Sequence, residues 1–224
     1  MGNLIVMDGL DGSGKATQTS RLMQALQARG KSARAISFPD YGDPSSALVK
    51  LYLNGELAEN ADEINAYAAS SFYAVDRYAS FKRFWERDYR DGKLMVADRY
   101  TSSNAIHQMA KLPREEWDSF LAWLDDYEHE KLGLPRPDLV LYLDMHPDTS
   151  AKLLAKRYGG DENKKDIHEK NVSYLLRCRE TALYAAEKLH WQVIGCCDGR
   201  DPLPVEAIHG KIMDLLRKEL KFLW

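Results

Sequence analysis

Five short apolar runs spread along 224 residues constrain this chain more than any other feature. They are LIVMD (Leu4 to Asp8), ARAISF (Ala33 to Phe38), LMVAD (Leu94 to Asp98), LVLYLD (Leu139 to Asp144) and WQVIGC (Trp191 to Cys196). Each has strand length and most are almost continuously apolar, the pattern of strands buried on both faces. Between them lie stretches with helical spacing: Thr17 to Ala28, Ile64 to Tyr89, Trp117 to Glu130, Thr149 to Arg157, Val172 to Leu189 and Val205 to Leu220. Strand and helix alternating in this way call for right-handed crossovers and a parallel sheet covered on both sides. The expected fold is therefore three-layer α/β with about five parallel strands and helices on both faces. At this length, with 45% hydrophobic residues, residues 1–224 should form a single domain around one core.

One stretch interrupts the rhythm. Arg157 to Asn171, RYGGDENKKDIHEKN, is polar and has too few apolar residues to offset the entropy of its own ordering. It reads as a short mobile lid, about 157–171, between two helices.

The turn after the first run carries the chemistry. GLDGSGKAT, residues 9–17, follows a strand and opens a helix, which is the context the Walker A pattern G-x-x-x-x-G-K-[ST] requires. Gly9, Gly12 and Gly14 permit positive φ and close approach, so that backbone N–H groups of Gly9, Leu10, Asp11, Gly12, Ser13, Gly14, Lys15, Ala16 and Thr17 can surround phosphates at a helix N-terminus. Lys15 supplies a point charge to the β/γ-phosphates of a nucleotide such as ATP. The chain is thus expected to adopt a P-loop NTPase fold. Ala16, however, stands where the pattern has the hydroxyl that binds Mg²⁺, and Thr17 lies about 100° further around the helix. Mg²⁺ must then be held by nucleotide oxygens, waters and a carboxylate from another strand. Asp98, which ends LMVAD at the carboxyl edge of the sheet, is that candidate, directly or through water, and Arg99 follows it.

Together, GLDGSGK after the first strand, FP after the second, FYAVDR in a long helix, DRY after the third strand and GLPRPDLVLYLD into the fourth resemble the thymidylate kinase family, in order over essentially the whole chain. The resemblance implies phosphorylation of dTMP by ATP with Mg²⁺, a step toward dTTP, and a homodimer of packed helices. It implies that Asp11 contacts the acceptor's 3′-hydroxyl and that Phe38 and Pro39 flank the acceptor. Tyr73 would stack on thymine, Arg77 would reach base and phosphate, and Arg99 would hold the acceptor phosphate. Ser103, Asn104 and His107 would face the base. Lys15, Asp98, Arg99 and, from the lid, Arg157 form the implied catalytic set, with Lys164 and Lys165 as further lid cations, and YLLRCR (Tyr174 to Arg179) resembles the helix after the lid. On spacing alone, Tyr73 reads as a core aromatic and His107 as an ordinary helix histidine. One departure stands out: FPDYGDPSS has no cation before Lys50, where the family commonly has an arginine shortly after FP or in its place.

Other function classes fit less well. A net charge of −3 argues against a nucleic-acid partner. Cys178, Cys196 and Cys197 form no CxxC pattern, so neither a disulfide framework nor a zinc site is expected, and Cys196 and Cys197 read as small hydrophobes ending a buried strand. MGNLIVMDG is a short apolar run with no basic leader, and no window nears the roughly 20 apolar residues of a membrane span, so the expected location is the cytoplasm, away from membranes. NKKD at 163–166 matches a guanine-reading NKxD pattern, but outside its usual place after a buried strand. A kinase for another nucleoside monophosphate or a deoxynucleoside, a GTP-dependent switch, and a non-catalytic nucleotide-binding module remain the rival expectations.

Overall fold

The first apolar run forms the central strand β1 (Leu4–Asp8), buried at every position, because it is hydrogen-bonded on both edges and packed on both faces. The computed structural model describes residues 1–159 and 172–220, with backbone only at Ala61, Arg157 and Tyr158. The chain continues through α1 (Lys15–Ala28), β2 (Ala33–Ser37), α2 (Ala47–Leu53) and α3 (Ala66–Ser80). A π-helical turn at Phe81–Trp85 joins α3 to α4 (Glu86–Arg90), followed by β3 (Leu94–Asp98), α5 (Ser102–His107) and α6 (Trp117–Asp125). A second π turn, Asp126–Lys131, leads to β4 (Leu139–Asp144) and α7 (Pro147–Tyr158). The rest is α8 (Val172–Lys188), β5 (Gln192–Gly195), a small hairpin of β6 (Cys197–Asp198) and β7 (Asp201–Pro202), and α9 (Val205–Glu219).

The main sheet has five strands in the order β2-β3-β1-β4-β5, every pairing parallel. Alternate side chains of each strand go to opposite faces. Ile5, Met7, Val96, Leu141 and Leu143 meet Leu22 and Leu26 of α1 and Ile208, Ile212 and Leu216 of α9. On the other face Leu4, Val6, Met95 and Ala97 meet Phe81, Trp85 and Tyr100. The sheet thus has helices on both sides, as its apolar runs require. Strand order reverses about β1, and in such sheets the crevice at the carboxyl ends of the central strands receives the ligand. Register brings the groups there into line: Asp98 lies beside Met7 and Ser37, and Asp8 beside Tyr142.

Several boundaries differ from the sequence reading for local reasons. Helix α1 begins at Lys15 rather than Thr17, because Gly14 with φ 92° forms the left-handed N-cap. Helix α3 begins at Ala66, where the Asn65 side chain accepts from the Ala68 N–H at 2.8 Å. The segments read as single helices over 64–89 and 117–130 each carry a π turn that periodicity does not reveal. The fifth strand stops at Gly195; Cys196 beyond it is fully buried, Cys197 is half-buried in the hairpin, and all three cysteines are free. Helices α2 and α5 are too short to register as periodic. The proposed lid, with Lys164, Lys165 and the NKKD stretch, lies outside the described residues, apart from the end of α7 and Gly159.

Leu141, fully buried where β4 packs between β1 and β5, tests the core directly. Leu141→Ala should lower unfolding free energy by about 2–5 kcal/mol, seen as a fall in the urea midpoint at unchanged slope; a midpoint within error of the parent would mean that this layer is not the core.

Candidate active site

At the carboxyl end of β1 the chain turns into the phosphate loop. Gly14 caps α1 with its backbone alone: no side chain accepts from the first-turn N–H groups, and no acidic residue sits in that turn. The helix N-terminus is therefore open to an anion. Gly12 has φ 80°, and a Cβ there would lie 2.8 Å from the Ser150 carbonyl oxygen, so only glycine lets the loop pass this close to α7. Lys15 folds back across the loop, its Nζ donating to the carbonyls of Gly9 and Leu10 at 2.9 Å each and standing 3.6 Å from Asp11 Oδ1. Burial pushes its pKa down, with Arg99 adding to the effect and Asp11, Asp98 and Asp8 opposing it.

From β3 come Asp98 and Arg99. Arg99 has φ 66°, a left-handed backbone that a non-glycine residue keeps only where its surroundings enforce it. Its N–H donates to Met7 at 2.9 Å. The guanidinium reaches back over the phosphate loop: Nη2 donates to Asp11 Oδ1 at 2.5 Å, and Nη1 to His107 Nε2 at 3.1 Å and Ser103 Oγ at 3.4 Å. Burial pushes the Asp11 carboxyl up, but Arg99, Lys15 and His107 outweigh it and hold the group well below the usual carboxylate range. Asp98 is the opposite case. Burial dominates and raises its pKa, against the pull of Lys15 and Arg99. Its carboxylate has no hydrogen-bond or ion-pair partner among the described residues.

A cleft of about 540 Å³ runs between these two strand ends, a size usual for a small-molecule site. Asp11, Gly12, Gly14, Lys15, Ala16, Thr17, Asp98 and Arg99 line one end. Phe38, Pro39, Tyr73, Arg77, Ser103, Asn104 and His107 line the other. Three of the residues named for the loop, Gly9, Leu10 and Ser13, do not face the cleft. Leu10 turns its side chain into an apolar cluster with Ile106, Tyr142 and Tyr174, so only its backbone serves the loop. Arg157 lies in the last turn of α7, and its side chain falls outside the described residues.

Helix α5 delivers Ser103, Asn104 and His107 to one side, as residues three and four apart must. It is held by α8, where the Tyr174 hydroxyl donates to the His107 carbonyl at 2.6 Å and the Thr181 hydroxyl to that of Ile106 at 2.6 Å. Tyr73 lies edge-on to Tyr52, ring centroids 6.3 Å apart, and borders the cleft rather than the core. Phe38 lines the cleft too, although its ring is almost entirely buried against Tyr100.

Several participants were not legible beforehand. Asp8, the last residue of β1, is fully buried and accepts from the Gly9 N–H at 2.8 Å, Ser102 Oγ at 2.6 Å and Ser103 Oγ at 2.8 Å. An acid closing an otherwise apolar run was the only signal. Glu128, on the second π turn, is fully buried and binds Arg77 bidentately, through Nε at 2.7 Å and Nη2 at 2.5 Å. Ser37, Tyr41, Leu53, Gln108, Leu153 and Leu154 also line the cleft, without a motif to mark them.

Comparison with known proteins agrees with this architecture. The family model described as "Thymidylate kinase" matches residues 7–207. The thymidylate kinase of Mycobacterium tuberculosis H37Rv is 30% identical over 184 residues, which is 81% of this chain and 84% of that protein. The human thymidylate kinase is 27% identical, covering 94% and 88% of the two chains, and the zebrafish (Danio rerio) one 27%, covering 96% and 89%. Among solved structures, the thymidylate kinase of Candida albicans shares the fold with a TM-score of 0.69 at 20% identity, covering 97% of this chain and 92% of that one.

Asp98 allows a test of the site's electrostatics. Its folded pKa is raised above the ordinary 3.8. An acid shifted this way contributes stability that is complete below its unfolded pKa and is lost as pH rises through the folded value. Asp98→Asn should therefore melt higher than the parent at about pH 7, with the advantage disappearing below about pH 4. Thermal melts at both pH values check this; a variant that melts lower at neutral pH would mean that attraction to Lys15 and Arg99 outweighs burial.

Proposed function

Because this chain belongs to the thymidylate kinase family, we propose that it catalyses transfer of the γ-phosphoryl group of ATP to dTMP, giving dTDP on the way to dTTP. One observation carries the reading: a single cleft joins an open phosphate loop to an arginine, an aromatic ring and an amide at its far end, separated by Arg99. Two phosphorylated ligands placed end to end would fill it, and phosphoryl transfer needs little more than two anions aligned and screened.

In this reading Lys15 and the loop amides hold the ATP phosphates. Arg99 takes the dTMP phosphate, exchanging its present bond to Asp11 for the ligand and freeing that carboxylate for the acceptor's 3′-hydroxyl. Tyr73 stacks on the base, with Ser103, Asn104 and His107 around it and Phe38 and Pro39 alongside. Arg157, in the last turn of α7, would close over the transferring group and screen its charge. The acceptor phosphate is already ionised at neutral pH, so no general base is required.

The donor set fits Mg²⁺, a hard cation that takes oxygen ligands and keeps several waters. Among the described residues no group of three His, Cys, Asp or Glu side chains could cage a metal. Asp98, an unpartnered carboxylate on the cleft wall, would hold the ion directly or through water, the remaining ligands being phosphate oxygens and waters. When bound, the ion neutralises charge on the nucleotide phosphates. The active form is proposed as a cytoplasmic homodimer with no nucleic-acid or membrane partner. Among the described residues no helix is long and apolar enough to cross a membrane. Tyr67, Val75 and Tyr78 are 37%, 46% and 39% exposed on α3. They fall within roughly 80° of one another around the helix axis, a face that a second copy would cover.

A coupled ADP-release assay with ATP and Mg²⁺ should show turnover with dTMP well above dUMP, dCMP, dGMP, UMP and AMP, and none after chelation. Arg99→Ala should reduce kcat/KM for dTMP by about 10²–10³. Blank-level rates with every acceptor would leave only a nucleotide-binding module. Light scattering after gel filtration should give twice the chain mass, and Val75→Asp with Tyr78→Asp should halve it; a monomeric parent would remove the dimer.

A further inference from the structure

The base end of the cleft rests on a buried acid that does not itself face the cleft. Glu128 is fully buried, yet it takes both Arg77 bonds and accepts from Asn104 Nδ2 at 2.9 Å. Asn104 Nδ2 also donates to the Ser70 carbonyl at 3.2 Å. A carboxylate and a carbonyl are acceptors only, so Asn104 must turn its NH₂ group toward them. Its Oδ1 then has no partner among the described residues, and Asn104 lines the cleft. Likewise Arg77 spends Nε and Nη2 on Glu128, leaving Nη1 with no acceptor among the described residues. The wall thus offers one acceptor, from Asn104, and one donor group, from Arg77.

We propose that Glu128 is a positioning residue that fixes this polarity, so that the site takes a 2,4-dioxopyrimidine and turns away an aminopyrimidine. The inference deepens the dTMP kinase reading and rests on it. A dioxopyrimidine presents an N3–H donor beside a 4-oxo acceptor, which complements Asn104 Oδ1 and Arg77 Nη1. An aminopyrimidine presents the reverse pattern, a bare N3 beside a 4-NH₂ group. It would set acceptor against acceptor and donor against donor, and buried unpaired groups are what give such sites their discrimination. Asn104 alone could rotate its amide to suit either base. Glu128 prevents the rotation, because a turned Asn104 would set its oxygen against the carboxylate. The π turn that carries Glu128 is a helical irregularity found frequently at functional sites.

Glu128→Gln tests this in the full-length enzyme. The variant keeps the shape, but in either orientation it sets an NH₂ group against an N–H of Arg77, and the bidentate grip is lost. The ratio of kcat/KM for dTMP to that for dCMP should fall by about 10- to 100-fold, mostly through KM for dTMP, while KM for ATP stays put. A purely structural role would lower the active fraction and reduce both acceptors equally, leaving the ratio intact. If Glu128→Gln does not fold, Glu128→Asp decides: it keeps the charge opposite Arg77 but is one methylene too short to span both partners, so the ratio should fall there as well. A folded variant with the parental ratio overturns the inference. A parent enzyme that transfers nothing to dTMP overturns the kinase reading and the inference with it.

Discussion

A buried lysine and a partly buried arginine sit among three carboxylates at the carboxyl edge of the central strands, and the arrangement of the site depends on that balance. Lys15 and Arg99 lie among Asp8, Asp11 and Asp98, with Arg99 within 4 Å of both Asp8 and Asp11. Each strand end contributes one acid through its register: Asp8 closes β1 and Asp98 closes β3 beside Met7. Burial of Lys15, and partial burial of Arg99, is offset by these acids. The same partners keep the two side chains in place before any ligand arrives, so the cost of ordering them is met in folding rather than in binding. The left-handed backbone of Arg99 belongs to this constraint, since it turns the guanidinium back over the loop instead of out along the strand.

The fold was legible because it depends on burial, and burial is written in composition. All five strands of the main sheet coincide with apolar runs, three of them residue for residue, since a strand covered on both faces can hold few polar side chains. The site was legible only where a backbone requirement or a charge stood out against that background. The glycines and Lys15 of the loop, and Asp98-Arg99 after β3, are of this kind. Helix α5 was not, because six residues are too few for periodicity, although it presents Ser103, Asn104 and His107. Glu128 was hidden more deeply. In DYEHEK it is one charge among several at the end of a helical stretch, and only the tertiary approach of Arg77 from α3 reveals that it points inward.

The pair of Glu128 with Arg77 also alters how charge is divided along the cleft. On sequence, two arginines, Arg77 and Arg99, were available to an acceptor phosphate. In the structure the charge of Arg77 is met by a buried carboxylate, so its remaining N–H groups are suited to neutral hydrogen bonding rather than to neutralising a dianion. The segment after Phe38-Pro39, which lacks a cation, does not compensate. It is pinned by acids instead: Asp76 accepts from the Asp40 N–H at 2.9 Å and from Ser45 Oγ at 2.6 Å, and Asp43 is paired with Arg83.

Among the described residues lining the cleft, Arg99 is therefore the cation on which an acceptor phosphate would depend, and its bond to Asp11 sets the terms. A phosphate entering must displace or share that carboxylate, so part of the attraction is spent in breaking an existing short ion pair. Asp11, once released, still faces Lys15 at 3.6 Å and does not become an isolated buried charge. Such an exchange would move Asp11 from one cation toward another while the phosphate took its place on Arg99. In the proposed reaction, occupation of the acceptor end would be coupled in this way to Lys15 at the donor end, through a single carboxylate between them.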